Sequence, residues 1–388
     1  MARPLNRIPL IPILWGSRSR RLISISSVVI FIILIQFLWR SPPPPFPTFT
    51  ERPSAQRCEE ASTYQFSGNS STSGVDVVVL LPLKTAEELC ASHGLQVFKD
   101  RSRPRKVYDL FLFNTEFDWL EIRLKQLSPY VDHFILLEAL ETFSGNSKPL
   151  YFKDNYECLH DLAPDKLVYH ALDMSDLKFW KGSWAREEYA RNAMFTKVFP
   201  SLLPPAVPNY KDVILVSDVD EIIRPEAIEV LRNCEFPKRT NIRSRFFYYS
   251  YQWQHHGKDW EHPQVTWYDG LKNTILPNDL RWNWKKAEWN FKNASWHCSS
   301  CFSTVAEMDY KIASFSHQEF NKEKFRDPAE IVRRVRNGLD LFDRASEKYD
   351  KQDPVTDAPE FLLREENVER FKFLLDRDPP NANFLDYP

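Results

Sequence analysis

The chain has 388 residues, 43% of them apolar, with 51 basic against 53 acidic side chains. That is enough to bury one large or two small cores. A net charge of -2 excludes the basic excess that a nucleic-acid footprint needs. With nine glycines and no Gly-rich phosphate loop or G-x-G-x-x-G, the common nucleotide-binding fingerprints are excluded as well.

Residues 22–39, LISISSVVIFIILIQFLW, run 18 positions without a charge, within the range of a membrane-spanning helix. Arg3, Arg7, Arg18, Arg20 and Arg21 precede the run. Basic flanks stay in the cytoplasm, so 1–21 reads as a cytoplasmic tail, 22–39 as a transmembrane signal anchor, and the remainder as lumenal. A cleaved signal peptide fits less well, because the run is long and WRSPPPP offers no small-residue cleavage site. Residues 40–103 carry SPPPPFPTFT (41–50) and the polar run SGNSSTSG, and are expected to form an extended stem. Residues 104–388 are expected to be one folded domain.

An oxidising lumen permits disulfides. Cys58 and Cys90 fall in the expected stem; Cys158, Cys234, Cys298 and Cys301 fall in the domain and are the disulfide candidates, their pairing open. Asn69 in NSS and Asn293 in NAS are glycosylation candidates.

From Val107 the pattern becomes regular. VYDLFLF (107–113) reads as a strand. Thr115 with Asp118 suggests a capped helix start, and Phe117, Leu120, Leu124 and Leu127 recur at helical spacing. HFILLEA (133–139) and KLVYHAL (166–172) read as strands, and Ser183 as the cap of a helix over 184–199. DVILVS (212–217) is a fourth strand, with Pro225 opening the next helix. IRSRFFYYSYQW (242–253) reads as one longer strand, and Asp327-Pro328 starts a late helix that Gly338 ends. Strands alternating with helices predict an α/β domain with a mostly parallel sheet flanked by helices.

The fourth strand runs straight into Asp218, Asp220 and Glu221. In open α/β sheets, ligands bind beyond the carboxyl ends of strands. Residues two apart in extended chain face one way, so Asp218 and Asp220 form a candidate site for Mg²⁺ or Mn²⁺, with positions left for substrate phosphates. The rival use of these carboxylates is a solvated loop that caps the next helix. Arg186 and Arg191 precede this strand and could meet phosphates, or pair with Glu187 and Glu188 on a solvated helix face. Asn114 and Glu116 follow the first strand, where a nucleotide base commonly lies, or cap the following helix. Seven of twelve tryptophans fall between Trp253 and Trp296, and Trp253 and Trp260 are the candidates to stack on a sugar in an acceptor groove. In WHCSSC, His297, Cys298 and Cys301 have zinc-ligand side chains, but a structural zinc site needs four ligands, so a disulfide is the better reading.

The segments YDLFLFNTEFDWLEIRL (108–124), VSDVDEIIRPEAIEVLR (216–232), RSRFFYYSYQW (243–253) and WHCSSCFST (296–304) together resemble glycosyltransferase family 17, in order and over about residues 104–375. The resemblance implies a GT-A type domain held in the Golgi membrane. It implies a UDP-N-acetylglucosamine donor, a divalent cation, and transfer to a mannose of a glycoprotein N-glycan with inversion to a β-1,4 linkage. The family's acidic pair falls on Asp218 and Asp220; a cation bridging Asp220 and the diphosphate would stabilise the leaving group, with Glu221 orienting the loop. Inversion needs a base for the acceptor hydroxyl. Glu307, Asp309, Glu319, His297 and His317 follow the aromatic stretch; Glu307, behind the WHCSSCFST block, is preferred, with His297 placed toward the acceptor. Residues 254–292 match the family less well. Two other functions fit parts of the chain: a non-catalytic lumenal carbohydrate-binding scaffold, and a haloacid-dehalogenase-like phosphohydrolase. For the latter, ILVSDVDEI stands too far into its domain, and Ile222 replaces the usual Thr or Val.

Overall fold

The computed structural model describes residues 80–388, apart from 160, 161, 164, 176 and 178–181. The candidate anchor 22–39, Cys58 and Asn69 lie outside these residues. Among the described residues no helix is long and apolar enough to cross a membrane.

The chain opens with α1 (Leu83–Ser92) and β1 (Gln96–Val97), then β2 (Val107–Phe113), α2 (Phe117–Leu127), β3 (His133–Ala139), β4 (Leu167–Leu172), α3 (Ser183–Thr196) and β5 (Val213–Asp218). It continues through β6 (Glu221–Ile223), α4 (Pro225–Asn233), β7 (Cys234–Glu235), β8 (Thr240–Tyr248), β9 (Ser250–His255), β10 (Gln264–Trp267) and β11 (Trp289–Ser299). The last longer elements are α5 (Val305–Ser314), α6 (Pro328–Arg336) and β12 (Tyr349–Lys351).

The main sheet runs β12-β9-β8-β10-β5-β2-β3-β4, with β11 paired to both β8 and β6. The expected mostly parallel sheet is half right. Strands β4, β3, β2 and β5 are parallel, but β10 runs antiparallel to β5 and β8, and β9 antiparallel to β8. The physical reason lies in the connections. Helical crossovers give the parallel neighbours of the first half, whereas the one-residue link between β8 and β9 allows only an antiparallel pair; β11, arriving after a long connection, lies parallel to β8. The single strand foreseen over 242–253 is two, because Tyr249 takes a left-handed φ of 69° between β8 and β9.

Strands β2, β3 and β5 are buried along nearly all their length, which is why they read as apolar runs. One face carries Tyr108, Leu110, Ile135, Leu137, Ile214 and Val216, packed against Ala190, Ala193 and Met194 of α3. The alternate residues Asp109 and Phe111 meet α2, whose Arg123 lies over the Phe111 ring and pairs with Asp109. A second core gathers α5 and α6 against the β8–β9 turn, with Met308, Ile312, Ile331, Val335, Tyr249 and Trp253. Gly338, at φ +59°, ends α6; a Cβ there would lie 2.4 Å from the Trp253 ring, so the close approach demands glycine.

The segment expected as stem is folded from Leu83 onward. α1 is joined to the domain by the Cys90–Cys234 disulfide, and β1 pairs with β7. Cys234 thus pairs across the presumed boundary, and Cys298 pairs with Cys301. Cys158 lies in the helical turn Tyr156–Leu159, its side chain outside what is described. Asn293 is exposed at the bulge of β11, between Phe291 and Ser295.

The Cys90–Cys234 bridge spans 144 residues of sequence, and such a long closed loop restricts the unfolded chain strongly. Replacing both cysteines by serine is expected to cost about 3–5 kcal/mol. Chemical denaturation of the double variant against the parent measures this; an unchanged midpoint would show that α1 docks without the bridge.

Candidate functional site

The strand order reverses between β2 and β5, so their carboxyl ends leave a crevice. That crevice is part of a cleft of about 770 Å³ lined by Asn114, Glu116, Arg191, Asp218, Asp220 and Trp260, among others. Its further wall comes from β8, β9, β11 and α5, through Phe246, His255, His297 and Lys311.

The acidic turn is held from below by Arg123. This fully buried guanidinium bonds Asp109 at 2.5 Å and 2.7 Å, and donates to the carbonyls of Asp218 at 3.0 Å and Glu221 at 2.9 Å. It also donates to the Ser217 hydroxyl. On the other side β11 pairs with β6, His297 opposite Glu221, and the Cys298 N–H donates to the Asp220 carbonyl at 3.2 Å. The turn is therefore fixed at both edges through its backbone, before the contacts of its own carboxylates are considered.

Each of the three carboxylates has a different fate. Asp218 accepts from Arg191 at 2.8 Å and from Arg281, of the short helix Pro277–Trp282, at 2.6 Å. Burial would raise its carboxyl, but Arg191 and then Arg281 hold it far below the usual carboxylate range. Glu221 is fully buried and does not line the cleft. Its oxygens accept from Trp260 Nε1 at 2.8 Å, from Arg281 at 2.7 Å and from the Asp218 N–H at 2.9 Å. Burial raises this carboxyl too, and Arg281 outweighs it, so the group stays ionised. Glu221 thus lies behind the turn, tied to the loop by its hydrogen bonds, and not at the cleft surface. Asp220 meets Lys311 Nζ at 3.3 Å on one oxygen and faces His297 Nδ1 at 3.7 Å on the other. Burial lowers the Lys311 ammonium, yet Asp220 raises it further, so it stays charged.

Among the described residues no group of three or more His, Cys, Asp and Glu side chains is placed to hold an ion. A hard cation that also binds substrate phosphates needs only one or two protein ligands. Asp220 Oδ1 and His297 Nδ1 suit that smaller role: the buried imidazole nitrogen has no hydrogen-bond partner and lies beyond hydrogen-bond distance of the carboxylate it faces. Both oxygens of Asp218 are engaged by arginines, so the expected pair of acidic ligands reduces to Asp220. His297, expected at the acceptor, stands instead at this acidic centre, its ring in contact with Phe246 at 5.1 Å and Trp260 at 5.4 Å.

The other sequence candidates separate cleanly. Asn114 and Glu116 line the cleft at the end of β2; Glu116 accepts from the Thr115 N–H at 2.9 Å, and the buried Asn114 Oδ1 has no hydrogen-bond partner. The helix cap foreseen at Thr115 falls on Glu116, whose side chain turns back to its own loop. Arg191 lines the cleft, whereas Arg186 points away, packing against Gly145 and facing Glu141. Trp260 lines the cleft; Trp253 is core. Glu307 does not reach the cleft. It closes a capping box at the start of α5, accepting from the Ser303 and Thr304 hydroxyls while its N–H donates to Thr304. Asp309 is held by Arg326, and His317 lines the cleft beside Glu319.

Sequence reasoning missed Arg281 and Lys311. Arg281 stands in RWNW, within the stretch that shows no pattern. Lys311 adjoins the apolar positions Val305, Met308 and Ile312 of α5, a helix face that gave a weak signal of inward placement.

Replacing Arg123 by methionine would leave Asp109 as an uncompensated buried charge and free the carbonyls of the acidic turn; a loss of about 3–5 kcal/mol is expected by equilibrium unfolding. A pH series tests a second group. Burial, and secondarily Arg281, pushes His262 down to about 3 from 6.5. Between those values the unfolded chain binds a proton that the folded chain refuses, so stability falls as pH drops through that window. The slope is expected to flatten in His262→Gln; an identical slope would assign it to other groups.

A family model described as glycosyltransferase family 17 matches residues 82–379. The human β-1,4-mannosyl-glycoprotein 4-β-N-acetylglucosaminyltransferase is 26% identical over 311 residues, 71% of this chain and 56% of the relative. The Rattus norvegicus protein of the same name is 26% identical over 320 residues, 73% and 57% of the two chains. The chain thus spans little more than half the length of these curated relatives. Among solved structures, the mannosyltransferase PcManGT from Pyrobaculum calidifontis, in complex with GDP-Man and Mn²⁺, aligns at 8% identity over 64% of this chain and 68% of that one. Its TM-score of 0.30 is too low to carry an argument. The family match covers most of the chain, including the acidic turn and the strands that hold it: the chain belongs to glycosyltransferase family 17.

Proposed function

We propose that this protein transfers N-acetylglucosamine from UDP-N-acetylglucosamine to a mannose of a glycoprotein N-glycan, with inversion to a β-1,4 linkage, on a GT-A type domain. The observation that carries the reading is the placement of Asp220 at the switch point of the sheet, inside a cleft large enough for a nucleotide sugar and beside a fixed cation, Lys311. The name of the curated relatives supports the choice of donor and acceptor.

Asp220 and His297 would hold the divalent cation, which when bound supplies Lewis-acid stabilisation of the leaving diphosphate. The chain's own groups do the rest. Lys311 adds a fixed positive charge on the same side, where negative charge develops as the glycosidic phosphate bond breaks. Asn114 offers the base or ribose an unsatisfied carbonyl at the end of β2. Trp260, exposed and anchored through its Nε1 to Glu221, presents an aromatic wall for a sugar face. In this reading residues 22–39 anchor the protein in the Golgi membrane with the folded part lumenal, and the Cys90–Cys234 and Cys298–Cys301 disulfides support an oxidising compartment.

Calorimetric titration of UDP into the purified chain tests the proposal, with Mn²⁺, with chelator, and with Asp220→Asn. Affinity is expected to need the metal and to fall at least about tenfold, or about 1.4 kcal/mol, in the variant. Absence of UDP binding by folded protein under every condition would put the non-catalytic scaffold reading ahead of the transferase.

A further inference from the structure

Among the described residues the cleft is lined by six carboxylates: Glu116, Glu141, Glu187, Asp218, Asp220 and Glu347. A base that takes a proton from a sugar hydroxyl must be ionised, within reach, and not already neutralised by a cation. Glu187 is bound by Arg191, Asp218 by Arg191 and Arg281, and Asp220 by Lys311. Glu141 faces Arg186, and Glu116 is turned onto the N–H groups of its own loop. Glu347 differs from all of these. Its Oε2 meets His255 Nε2 at 3.0 Å, and its Oε1 accepts from the Ser346 hydroxyl at 3.0 Å.

The state of His255 can be worked out from its other nitrogen. The Gly257 N–H donates to His255 Nδ1 at 3.2 Å, so that nitrogen is an acceptor and the ring proton sits on Nε2, pointing at Glu347. The pair is thus a neutral imidazole donating to a carboxylate. Both oxygens of Glu347 are oriented by neutral donors and keep lone pairs for a further proton. The chain folds closely over the ring at Gly257: a Cβ there would lie 2.4 Å from the His255 side chain, which would have to shift. The dyad also stands on the right wall. Phe246 touches His255 at 5.2 Å and His297 at 5.1 Å, which places the dyad on the same side as Asp220, one aromatic ring removed.

The geometry points to Glu347 as the catalytic base that activates the acceptor, an assignment that rests on the transferase reading above. The acceptor hydroxyl gives its proton to the Glu347 carboxylate as its oxygen bonds the anomeric carbon of the nucleotide sugar. The bond from that carbon to the phosphate oxygen breaks, and its electron pair leaves with the nucleoside diphosphate. Attack opposite the leaving group inverts the anomeric centre. This role replaces the one expected of Glu307.

The test uses the whole protein, UDP-N-acetylglucosamine, and a glycan carrying β-1,4-linked mannose. Glu347→Gln is expected to lower kcat by about a hundredfold or more, the usual worth of a general base, with metal-dependent UDP affinity unchanged. Glu347→Ala is expected to regain turnover with sodium azide, giving the β-glycosyl azide, because azide has no proton to lose. Full turnover by Glu347→Gln would overturn the assignment. So would loss of activity that azide does not restore in a variant that still binds UDP. A parent protein that binds no UDP would instead remove the transferase reading, and the base with it.

Discussion

The Arg123–Asp109 pair is the constraint on which the site depends. A buried guanidinium is costly unless every donor is used. Here one side of it is neutralised by Asp109 on β2, and the other side reads the carbonyls of Asp218 and Glu221. The cost of burying the pair is offset by what it organises: a helix, a strand and the turn that follows the neighbouring strand are fixed by one side chain. The turn can then expose its carboxylates while its backbone stays satisfied.

Above that turn the charges balance locally. Asp218, Asp220 and Glu221 are answered by Arg191, Arg281 and Lys311, so the repulsion among three close carboxylates is met by side-chain cations. Arg281 does the most, bridging Asp218 and Glu221 from a short helix in the otherwise unpatterned stretch after β10. One oxygen of Asp220 and the orphaned nitrogen of His297 are what remain facing the cleft. The acidic motif is therefore mostly architecture, with one carboxylate oxygen left facing the cleft. The aromatic residues divide in a similar way. Trp253 fills the second core under Gly338, while Trp260 stands at the cleft with its indole nitrogen tied to Glu221. Both belong to one tryptophan-rich stretch, but Trp253 sits within β9 and Trp260 in the loop that follows it, bridged to Ser244.

Much of the first half of the domain was legible in the sequence because its rules are local. The apolar runs of β2, β3 and β5 mark strands covered on both faces, and Pro225 and Asp327-Pro328 mark helix starts that the structure places within a residue. The second half was less legible. A left-handed Tyr249 splits one apparent strand into two, and reversal of direction after β5 depends on connection geometry that no periodicity records. Residues 83–97 looked like part of a polar stem, because a ten-residue helix and a two-residue strand leave little pattern without the disulfide that docks them.

By itself the sequence determined that an apolar strand ends in three carboxylates, that helices and strands alternate before it, and that the chain resembles one glycosyltransferase family. These are properties of neighbours along the chain, where propensity and spacing act. The partners of the carboxylates were decided only by the tertiary structure. Arg281 lies 60 residues from Glu221, Lys311 lies 91 from Asp220, and His255 lies 92 from Glu347. Electrostatic fate depends on which charge arrives within a few ångströms, and that is set by packing across the sheet. For the same reason Glu307, which follows a telling motif, became a helix cap, while Glu347, which follows none, stands beside a neutral histidine in the cleft.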